Sequence, residues 1–521
     1  MTCRMYLLLA FLGLAVATVV ASLQPSPGYM DADYYFAGGQ QLATGHGFTE
    51  PYLWNYLDDP AGLPHPSNTY WMPLASLLAA AGAVFLKSAS WAAGRVGFLL
   101  VAALIPPVTA ALAWSFSNRR DLALTSGLLA VFPAFYLPFL PVTDTFGLYM
   151  LFGGLFFLVL NRKSSAINSL LLGLLAGLMH LARADGLLWL LVAFLVVLFV
   201  LPKPPNRRFL FILFSFLLVL AGYLLIMMPW FIRNYTVFSA LLAPGSSKTL
   251  WLTSYDQLFG YPASAITFSA WSQSGLSAIL RVRLWALGLN LSNLISVQGE
   301  VILLPLIGLG FWHLKKDRRV QLAGAAWLLI FAAMTLAFPF AGARGGFFHS
   351  GASVQTVWWV LAPIGLDRLI VWGSRTRDWN PGRSGMLFRS GLVAIIALLT
   401  VVIVYVRVMG GGGSQLWGHE NISYNHIKDV LVSDGMTDQS IVMVANPPGF
   451  YLVSGNSSIA VPDGDITTLL TVAGRYGVKY LVLEAGSTPT GLIPVYDNPE
   501  SWAGLEYLGN VEVARVFLVH P

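Results

Sequence analysis

The chain is poor in charge and in cysteine. Only 10% of its 521 residues are charged, and Cys3 is its one cysteine. A single cysteine excludes intrachain disulfides and clusters of thiolate metal ligands. Hydrophobic residues make up 56% of the chain, well above the fraction found in soluble globular proteins. The composition therefore predicts an integral membrane protein that is mostly α-helical.

The basic residues are few and unevenly placed. The formal net charge of +6 does not indicate nucleic-acid binding, because the basic residues form short clusters between apolar runs. These clusters are Asn118-Arg119-Arg120, Asn161-Arg162-Lys163, Lys203 to Arg208, Lys315 to Arg319, and Arg375 to Arg389. Such clusters are typical of cytoplasmic loops under the positive-inside rule. We therefore expect a lipid bilayer as surroundings, no nucleic-acid partner, and a cytoplasmic N-terminus, in the plasma membrane if the host is prokaryotic.

The apolar runs predict about eleven transmembrane helices. The predicted spans lie near 5–22, 91–115, 121–141, 145–160, 166–182, 186–201, 209–229, 296–313, 320–339, 351–372 and 390–409. With a cytoplasmic N-terminus, this count places every basic cluster on the cytoplasmic side. A further span at 72–87 would invert everything downstream and move clusters such as Arg119-Arg120, Arg162-Lys163 and Arg207-Arg208 outside, so 72–87 and 33–44 are predicted as helices at the external interface. A cleaved signal peptide is the alternative to an uncleaved first span.

The predicted organisation has three parts. Residues 1–409 form a membrane-embedded module with an external loop at 24–90, and residues 410–414 form a glycine-rich linker. Residues 415–521 then alternate strand-like runs with helical ones, which predicts a small extracytoplasmic α/β domain. The strand-like runs are 440–445, 480–484 and 513–519, and the helical runs are 422–433 and 466–476. The run Pro447-Pro448-Gly449 predicts a tight turn.

Three acids lie on the predicted external side. Asp31 and Asp33 follow the first span, and Asp144 lies between two later spans. An acid placed there can act as a general base, and an acid at a membrane boundary is costly without a role. The alternative for Asp33 and Asp144 is that each only caps a helix. Asp31 and Asp33 are two residues apart, so they diverge on a helix and share a face in an extended segment.

Four basic side chains on the same predicted side suit an anionic ligand. These are Arg183, Arg233, Arg344 and His349. A guanidinium binds phosphate through paired hydrogen bonds, which makes these residues candidates for binding a lipid phosphate. The alternative for Arg183 is a salt bridge with Asp185. Glycines flank Arg344 and are expected to let the backbone approach a ligand closely.

The predicted external location of the Asp-Ala-Asp sequence excludes a nucleotide-sugar-binding motif. Asp-x-Asp also binds a metal and a nucleotide sugar in soluble glycosyltransferases, but nucleotide sugars are cytosolic. The sequence also lacks a Gly-x-x-x-x-Gly-Lys phosphate loop. A transferase on the external face needs a donor that arrives through the membrane, and a polyprenyl-phosphate sugar meets that requirement.

The sequence resembles the GT-C glycosyltransferases of the protein O-mannosyltransferase and aminoarabinose transferase type. The motifs that carry the resemblance are 31–35 (Asp-Ala-Asp-Tyr-Tyr), 42–48, His65-Pro66, 70–74 (Tyr-Trp-Met-Pro-Leu), 94–96, Thr143-Asp144 and 230–235. The resemblance covers about the first 240 residues well and the later spans loosely. It implies a GT-C bundle and inverting transfer from a lipid-phosphate sugar, with Asp31 as the base and Asp144 as a second external acid. Many relatives have a second acid where this chain has Ala32, which leaves the choice between Asp31 and Asp33 open.

The predicted activity follows from these residues together. A sugar is expected to move from a polyprenyl-phosphate-linked donor to a hydroxyl on a protein, lipid or glycan acceptor, with His65, Tyr70 and Trp71 on the acceptor side. No cofactor and no metal ligands are predicted, and the sequence does not determine whether a divalent metal is required. Two alternatives remain, namely a transporter or flippase of a lipid-linked sugar and a non-catalytic envelope assembly protein.

Overall fold

The computed structural model describes residues 2–160, 166–201 and 208–520. The basic cluster at 161–163 and residues 203–207 of the next cluster lie outside the described residues. The chain divides into two compact units. The helical unit comprises Met1–Leu23, Arg95–Arg233 and Val282–Gln415, and the mixed unit comprises Gln24–Gly94, Asn234–Arg281 and Leu416–Pro521.

Helices dominate the described residues. In chain order, the α-helices are α1 (Cys3–Ser22), α2 (Met30–Ala43), α3 (Leu74–Phe85), α4 (Trp91–Gly94), α5 (Val96–Ser117), α6 (Arg120–Val131), α7 (Phe146–Val159), α8 (Ala166–Ala182), α9 (Leu187–Leu195), α10 (Arg208–Phe238), α11 (Phe268–Gln273), α12 (Leu276–Asn293), α13 (Leu303–His313), α14 (Arg318–Ala332), α15 (Pro339–Ala341), α16 (Phe347–Thr376), α17 (Pro381–Arg407), α18 (His419–Ser433), α19 (Pro447–Ser454), α20 (Ile466–Tyr476) and α21 (Ile493–Asp497). The strands are β1 (Thr49–Glu50), β2 (Tyr52–Leu53), β3 (His65–Pro66), β4 (Ile441–Val444), β5 (Ser458–Ala460), β6 (Val478–Leu483), β7 (Leu505–Val511) and β8 (Ala514–Val519).

Several helices are long and apolar enough to cross a bilayer. Within the described ranges there are six by length and composition, or seven if a pair bent by 89° is one span. The six are Cys3–Ser22, Trp91–Ser117, Arg208–Phe238, Arg318–Ala337, Pro339–Thr376 and Pro381–Arg407, and the bent pair is Leu276–Gln298 with Leu303–His313. Helix is present at each of the eleven predicted span positions, although α6, α7, α8 and α9 are short. The number of spans that cross the membrane remains a prediction.

Helix α16 is the centre of the helical unit. Its residues from Phe347 to Asp367 are almost all buried, and it packs against α5, α6, α7, α13 and α14. The contact with α7 is close, since a Cβ at Gly153 would lie only 1.7 Å from the carbonyl oxygen of Ser353. Small residues allow this approach where the surroundings are apolar and dispersion drives helix packing.

Three basic clusters meet at one end of the helical unit. Arg119 and Arg389 both contact Asp367, with nitrogen-to-oxygen distances of 2.8 and 3.6 Å. Arg319 donates to the hydroxyl of Ser115 at 3.2 Å, close to the end of α5. The clusters that begin at residues 118, 315 and 375 therefore share one end of this unit, as a common cytoplasmic side would require.

The mixed unit contains a six-stranded sheet of order β2-β5-β4-β6-β8-β7. The first four strands are parallel, while β8 pairs antiparallel with β6 and β7. Alternate residues face opposite sides, so that Met443 and Leu481 enter one buried cluster and Val444 and Val482 enter the other. The prediction of an α/β fold after residue 414 is confirmed, and the predicted strands and helices there are all present.

The loop that follows α1 belongs to the same unit as the C-terminal residues. Strand β2 lies within that loop and extends the sheet by pairing with β5 in the register Tyr52 to Ser458. Helix α2 packs against α3 and α19. The units change at residue 415, next to the predicted linker at 410–414, but residues 24–94 and 234–281 join the C-terminal residues in one unit. Strand pairing between β2 and β5 joins segments that are about four hundred residues apart in the sequence.

Candidate functional site

Asp31 lies in the first turn of α2 and is half-buried. The residue that precedes the helix is Tyr29, so the helix is not capped by either acid. A carboxylate in the first turn of a helix is stabilised by the helix dipole. Asp31 is therefore held at a defined place and remains accessible, as a general base must be.

Asp33 differs from Asp31 in exposure. Its side chain is buried, with 1% of its surface exposed. One carboxyl oxygen, Oδ2, accepts a hydrogen bond from Nδ2 of Asn446 at 2.9 Å. Burial raises the pKa of Asp33 to about 7, against the lowering effect of this bond. Asp33 is therefore less accessible than Asp31 to a molecule that binds at this surface.

A network of buried polar groups continues beyond Asn446. The backbone N–H of Asn446 donates to the hydroxyl of Tyr424 at 3.0 Å, and that hydroxyl donates to Glu484 at 2.9 Å. Glu420 also lies beside Asn446, and burial followed by the charge of Asp33 raises the pKa of Glu420 to about 8. The buried Asp33 and the half-buried Glu420 and Glu484 therefore lie in one region, where the described hydrogen-bond partners of these acids are neutral groups.

Tyr70 and Trp71 belong to a cluster of aromatic rings. The ring of Trp71 stacks on Trp54 with centroids 4.1 Å apart, and Tyr70 meets Trp54 edge-on at 4.9 Å. Tyr34 of α2 contacts Trp71 at 4.7 Å. Tyr70 and Trp71 are partly exposed, whereas Trp54 and Tyr34 are buried. Partly exposed rings of this kind suit stacking against a sugar or a peptide side chain.

His65 is buried rather than presented to an acceptor. Its Nε2 lies 3.1 Å from Oε1 of Glu50, and both side chains are almost fully buried. Burial lowers the pKa of His65, but the effect of Glu50 outweighs it and the pKa is raised overall. His65 is thereby suited to stabilising the loop of the mixed unit, since breaking a buried pair is costly.

In the helical unit, Asp144 and His349 form a buried pair. Nε2 of His349 lies 3.2 Å from Oδ2 of Asp144, while Nδ1 lies 3.0 Å from the carbonyl oxygen of Gly345. The imidazole ring also stacks on Phe146 at 3.8 Å. Asp144 also accepts from the backbone N–H of Thr145, so it contributes to the start of α7 as well.

The predicted phosphate-binding arginines occupy different surroundings. Arg183 forms a salt bridge to Asp185 at 2.9 Å, which is the alternative to phosphate binding that the sequence left open. The guanidinium of Arg233 lies over the ring of Trp230 at 4.8 Å. Arg344 is exposed. The backbone explains why glycines lie near it, since Gly345 has a φ of 121° and a Cβ at Gly342 would meet Met334.

Solved structures resemble this chain, although no model of a known protein family and no curated protein matches it. The oligosaccharyltransferase AglB from Archaeoglobus fulgidus, in complex with an inhibitory peptide and a dolichol-phosphate, is 14% identical with a TM-score of 0.54 over 91% of this chain and 69% of that chain. ArnT from Cupriavidus metallidurans, bound to undecaprenyl phosphate, is 12% identical with a TM-score of 0.53 over 98% and 97%. The chain has the GT-C fold. That similarity confirms the predicted fold class, an integral membrane bundle with a C-terminal α/β domain.

Asn446, Glu420 and Glu484 are not among the residues that the sequence predicts for the site. No local motif marks them, since each lies about four hundred residues from α2 in the sequence. One signal was present, because Asn446 precedes Pro447 and Pro448, a pattern typical of an N-cap followed by the first turn of a helix. The prediction of a tight turn there was wrong, since these residues begin helix α19.

Proposed function

We propose that this protein is an integral-membrane glycosyltransferase that uses a polyprenyl-phosphate-linked sugar as donor. The acceptor is a hydroxyl group of a protein, lipid or glycan on the external face. The observation that carries the proposal is an accessible acid, Asp31, in the first turn of α2 in a chain with the GT-C fold. Structures that share this fold contain dolichol-phosphate in AglB and undecaprenyl phosphate in ArnT.

In the proposed reaction, Asp31 accepts the proton of the acceptor hydroxyl. The acceptor oxygen attacks the anomeric carbon, and the bond between that carbon and the phosphate oxygen breaks. Polyprenyl phosphate leaves with the electron pair, and one displacement inverts the anomeric configuration. Asp33 supports α2 from inside, and Tyr70 and Trp71 provide the aromatic surface for the acceptor or sugar.

The helical unit is proposed to bind the donor phosphate. The His349 imidazole, when it carries two protons, and the exposed Arg344 guanidinium offer positive charge to the departing phosphate. Arg233 and Arg183 are further candidates, with Arg183 also engaged by Asp185. Asp144 holds His349 in a fixed orientation through their hydrogen bond.

Transfer is tested with the purified full chain in liposomes, with an envelope extract of the source cells added to supply the acceptor hydroxyl. The probe is a panel of undecaprenyl-phosphate monosaccharides with a radiolabelled sugar, assayed with and without a chelator of divalent metals. We expect one donor to be consumed, with release of undecaprenyl phosphate and movement of label into a water-soluble or protein fraction. Movement of intact labelled lipid between leaflets without its consumption would contradict the proposal and support a flippase.

The topology is proposed to have the N-terminus in the cytoplasm and the C-terminal residues outside. The three described basic clusters that share one end of the helical unit support this orientation. Cys3 provides a direct test, because it is exposed and is the only cysteine of the chain. A membrane-impermeant maleimide should label Cys3 only after the cells are permeabilised. Labelling in intact cells would contradict the orientation, and loss of Cys3 from the mature chain would show a cleaved signal peptide.

A further inference from the structure

Asn446 uses both ends of its side-chain amide. It precedes α19, and its Oδ1 accepts a hydrogen bond from the backbone N–H of Gly449 at 3.1 Å, which is the usual role of an N-cap. That bond fixes the amide orientation, because the oxygen must face Gly449. The amide nitrogen therefore faces Asp33, to which it donates at 2.9 Å.

Gly449 allows this approach between α19 and α2. A Cβ at Gly449 would lie 2.5 Å from Nδ2 of Asn446 and 3.0 Å from Oδ2 of Asp33. Such distances exclude a larger residue unless the hydrogen-bonded pair moves. The sequence Asn-Pro-Pro-Gly at 446–449 thus provides the cap, the first helical turn and the space that the Asp33 carboxyl group needs.

A second hydrogen bond ties the other end of α2 to the same helix. Nε2 of Gln41 donates to the hydroxyl of Tyr451 at 2.7 Å, and the ring of Tyr451 contacts Tyr52 of β2 at 5.6 Å. Asp33 and Gln41 are eight residues apart, about 12 Å along the helix axis. Helix α2 is therefore held to α19 near both of its ends.

We propose that Asn446 is a positioning residue that sets the orientation of Asp31 by fixing Asp33 in the first turns of α2. The inference rests on the proposed function of Asp31 as the base. Asp31 and Asp33 share one rigid helix, about 200° apart around its axis. Movement of Asp33 therefore moves Asp31, and a shift of 1 Å in a reacting group can reduce a rate about 100-fold.

The first test is Asn446→Asp in the full chain. The new carboxylate still caps α19 by accepting from Gly449, so that helix keeps its start, but it replaces the donor to Asp33 with a second acceptor. Hydrogen exchange of the amides at 31–36 should accelerate at least tenfold. With the donor that the wild-type protein consumes, kcat should fall about 10- to 100-fold, while KM for that donor changes less than threefold.

The matched control is Asn456→Asp, the same substitution at a second buried asparagine of the mixed unit. Nδ2 of Asn456 donates to the carbonyl oxygens of Thr437 and Ser440, at 2.8 and 3.1 Å. This control should destabilise the sheet region without changing exchange at 31–36. Tyr451→Phe, which removes only the bond from Gln41, should accelerate exchange at the other end of α2.

The reversed pair, Asp33→Asn together with Asn446→Asp, restores one donor and one acceptor. It should recover slow exchange at 31–36 and most of the lost kcat. Equal exchange at 31–36 in Asn446→Asp and Asn456→Asp, or no recovery in the reversed pair, would overturn the positioning role. If the wild-type protein consumes no donor, the proposed function fails, and the exchange measurements still decide whether Asn446 holds α2.

Discussion

Asp33 and Glu484 of the mixed unit are held differently from three carboxylates of the helical unit, whereas Glu50 of the mixed unit pairs with His65. In the helical unit Asp185 pairs with Arg183, Asp367 with Arg119, and Asp144 with His349. In the mixed unit Asp33 and Glu484 accept hydrogen bonds from neutral amide and hydroxyl groups. A cationic partner favours the charged carboxylate, whereas burial among neutral donors favours the protonated acid.

This difference separates two ways of using an acid in a largely apolar chain. In the helical unit each of these three carboxylates faces a basic side chain, although Glu300 is also buried there and accepts a hydrogen bond from the indole N–H of Trp359. In the mixed unit the buried Asp33 lies close to the half-buried Glu420, and the pKa of Asp33 is raised to about 7 and that of Glu420 to about 8. The mixed unit is therefore expected to respond to pH near neutrality.

Replacement of Asp31 by Asn should have the largest effect. Without a base to take the acceptor proton, the rate of sugar transfer should fall about 10²- to 10⁴-fold, with donor binding unchanged. The measurement is initial rate in liposomes with the consumed undecaprenyl-phosphate donor. Asp256→Asn, at an exposed acid of the same unit, is the matched control and should keep the wild-type rate. Near-normal transfer by Asp31→Asn would remove Asp31 from the mechanism.

Replacement of Asp144 by Asn tests the pair that Asp144 forms with His349 in the helical unit. The amide oxygen of this variant still accepts from the N–H of Thr145, but the side chain no longer offers a negative charge to His349. Hydrogen bonds to charged groups contribute about 1.5–3 kcal/mol, so transfer at limiting donor should fall about 10- to 100-fold. His349→Gln should show a similar loss, and the double variant should lose little more if the two residues act as a pair. Full additivity of the two losses would show that they act separately.

The pH response of the mixed unit is tested with Asp33→Asn. Between the ordinary value of 3.8 and the folded value of about 7, the folded protein binds more protons at Asp33 than the unfolded chain. Stability should therefore fall as pH rises through this window, by up to about 4 kcal/mol from this group. The melting temperature of the solubilised protein between pH 5 and 8 should fall for the wild type and change less for Asp33→Asn.

The remaining pH dependence in that variant is assigned to the groups around Asp33. The groups that titrate there are Glu420 on α18 and Glu484 after β6, because burial raises the pKa of both. Burial also raises the pKa values of Tyr424 and Tyr52 well above their usual range, so both tyrosines stay protonated. Asp465→Asn, an exposed N-cap of α20, is the control and should follow the wild-type curve. Parallel curves for Asp33→Asn and the wild type would show that Asp33 does not titrate in this range.

Replacement of Arg344 by Ala should have the smallest effect. An exposed guanidinium contributes less than a buried pair, so the KM for the lipid donor should rise a few-fold with kcat nearly unchanged. Arg183→Ala is the comparison, because it also removes the salt bridge to Asp185 and should lower the melting temperature. An unchanged KM in Arg344→Ala would exclude Arg344 from donor binding.

The sequence predicted much of the fold because hydrophobic periodicity is a local signal. Every predicted span position contains helix, and α20 has the predicted bounds of 466–476. Short elements were missed, such as β2 and β5, because two or three residues do not establish a period. The pairing of β2 with β5 joins residues 52 and 458, and no local pattern reports such a contact.

Composition alone determined that the chain belongs in a membrane, and motif spacing selected Asp31, Asp33 and Asp144 as the acids to examine. Only the tertiary structure distinguished Asp31 from Asp33, because burial depends on what packs against each side chain. The partner that buries Asp33 is Asn446, which lies 413 residues further along the chain. Apolar character is a property of each segment, whereas the partner of a buried carboxyl group is decided by which segments the fold brings together.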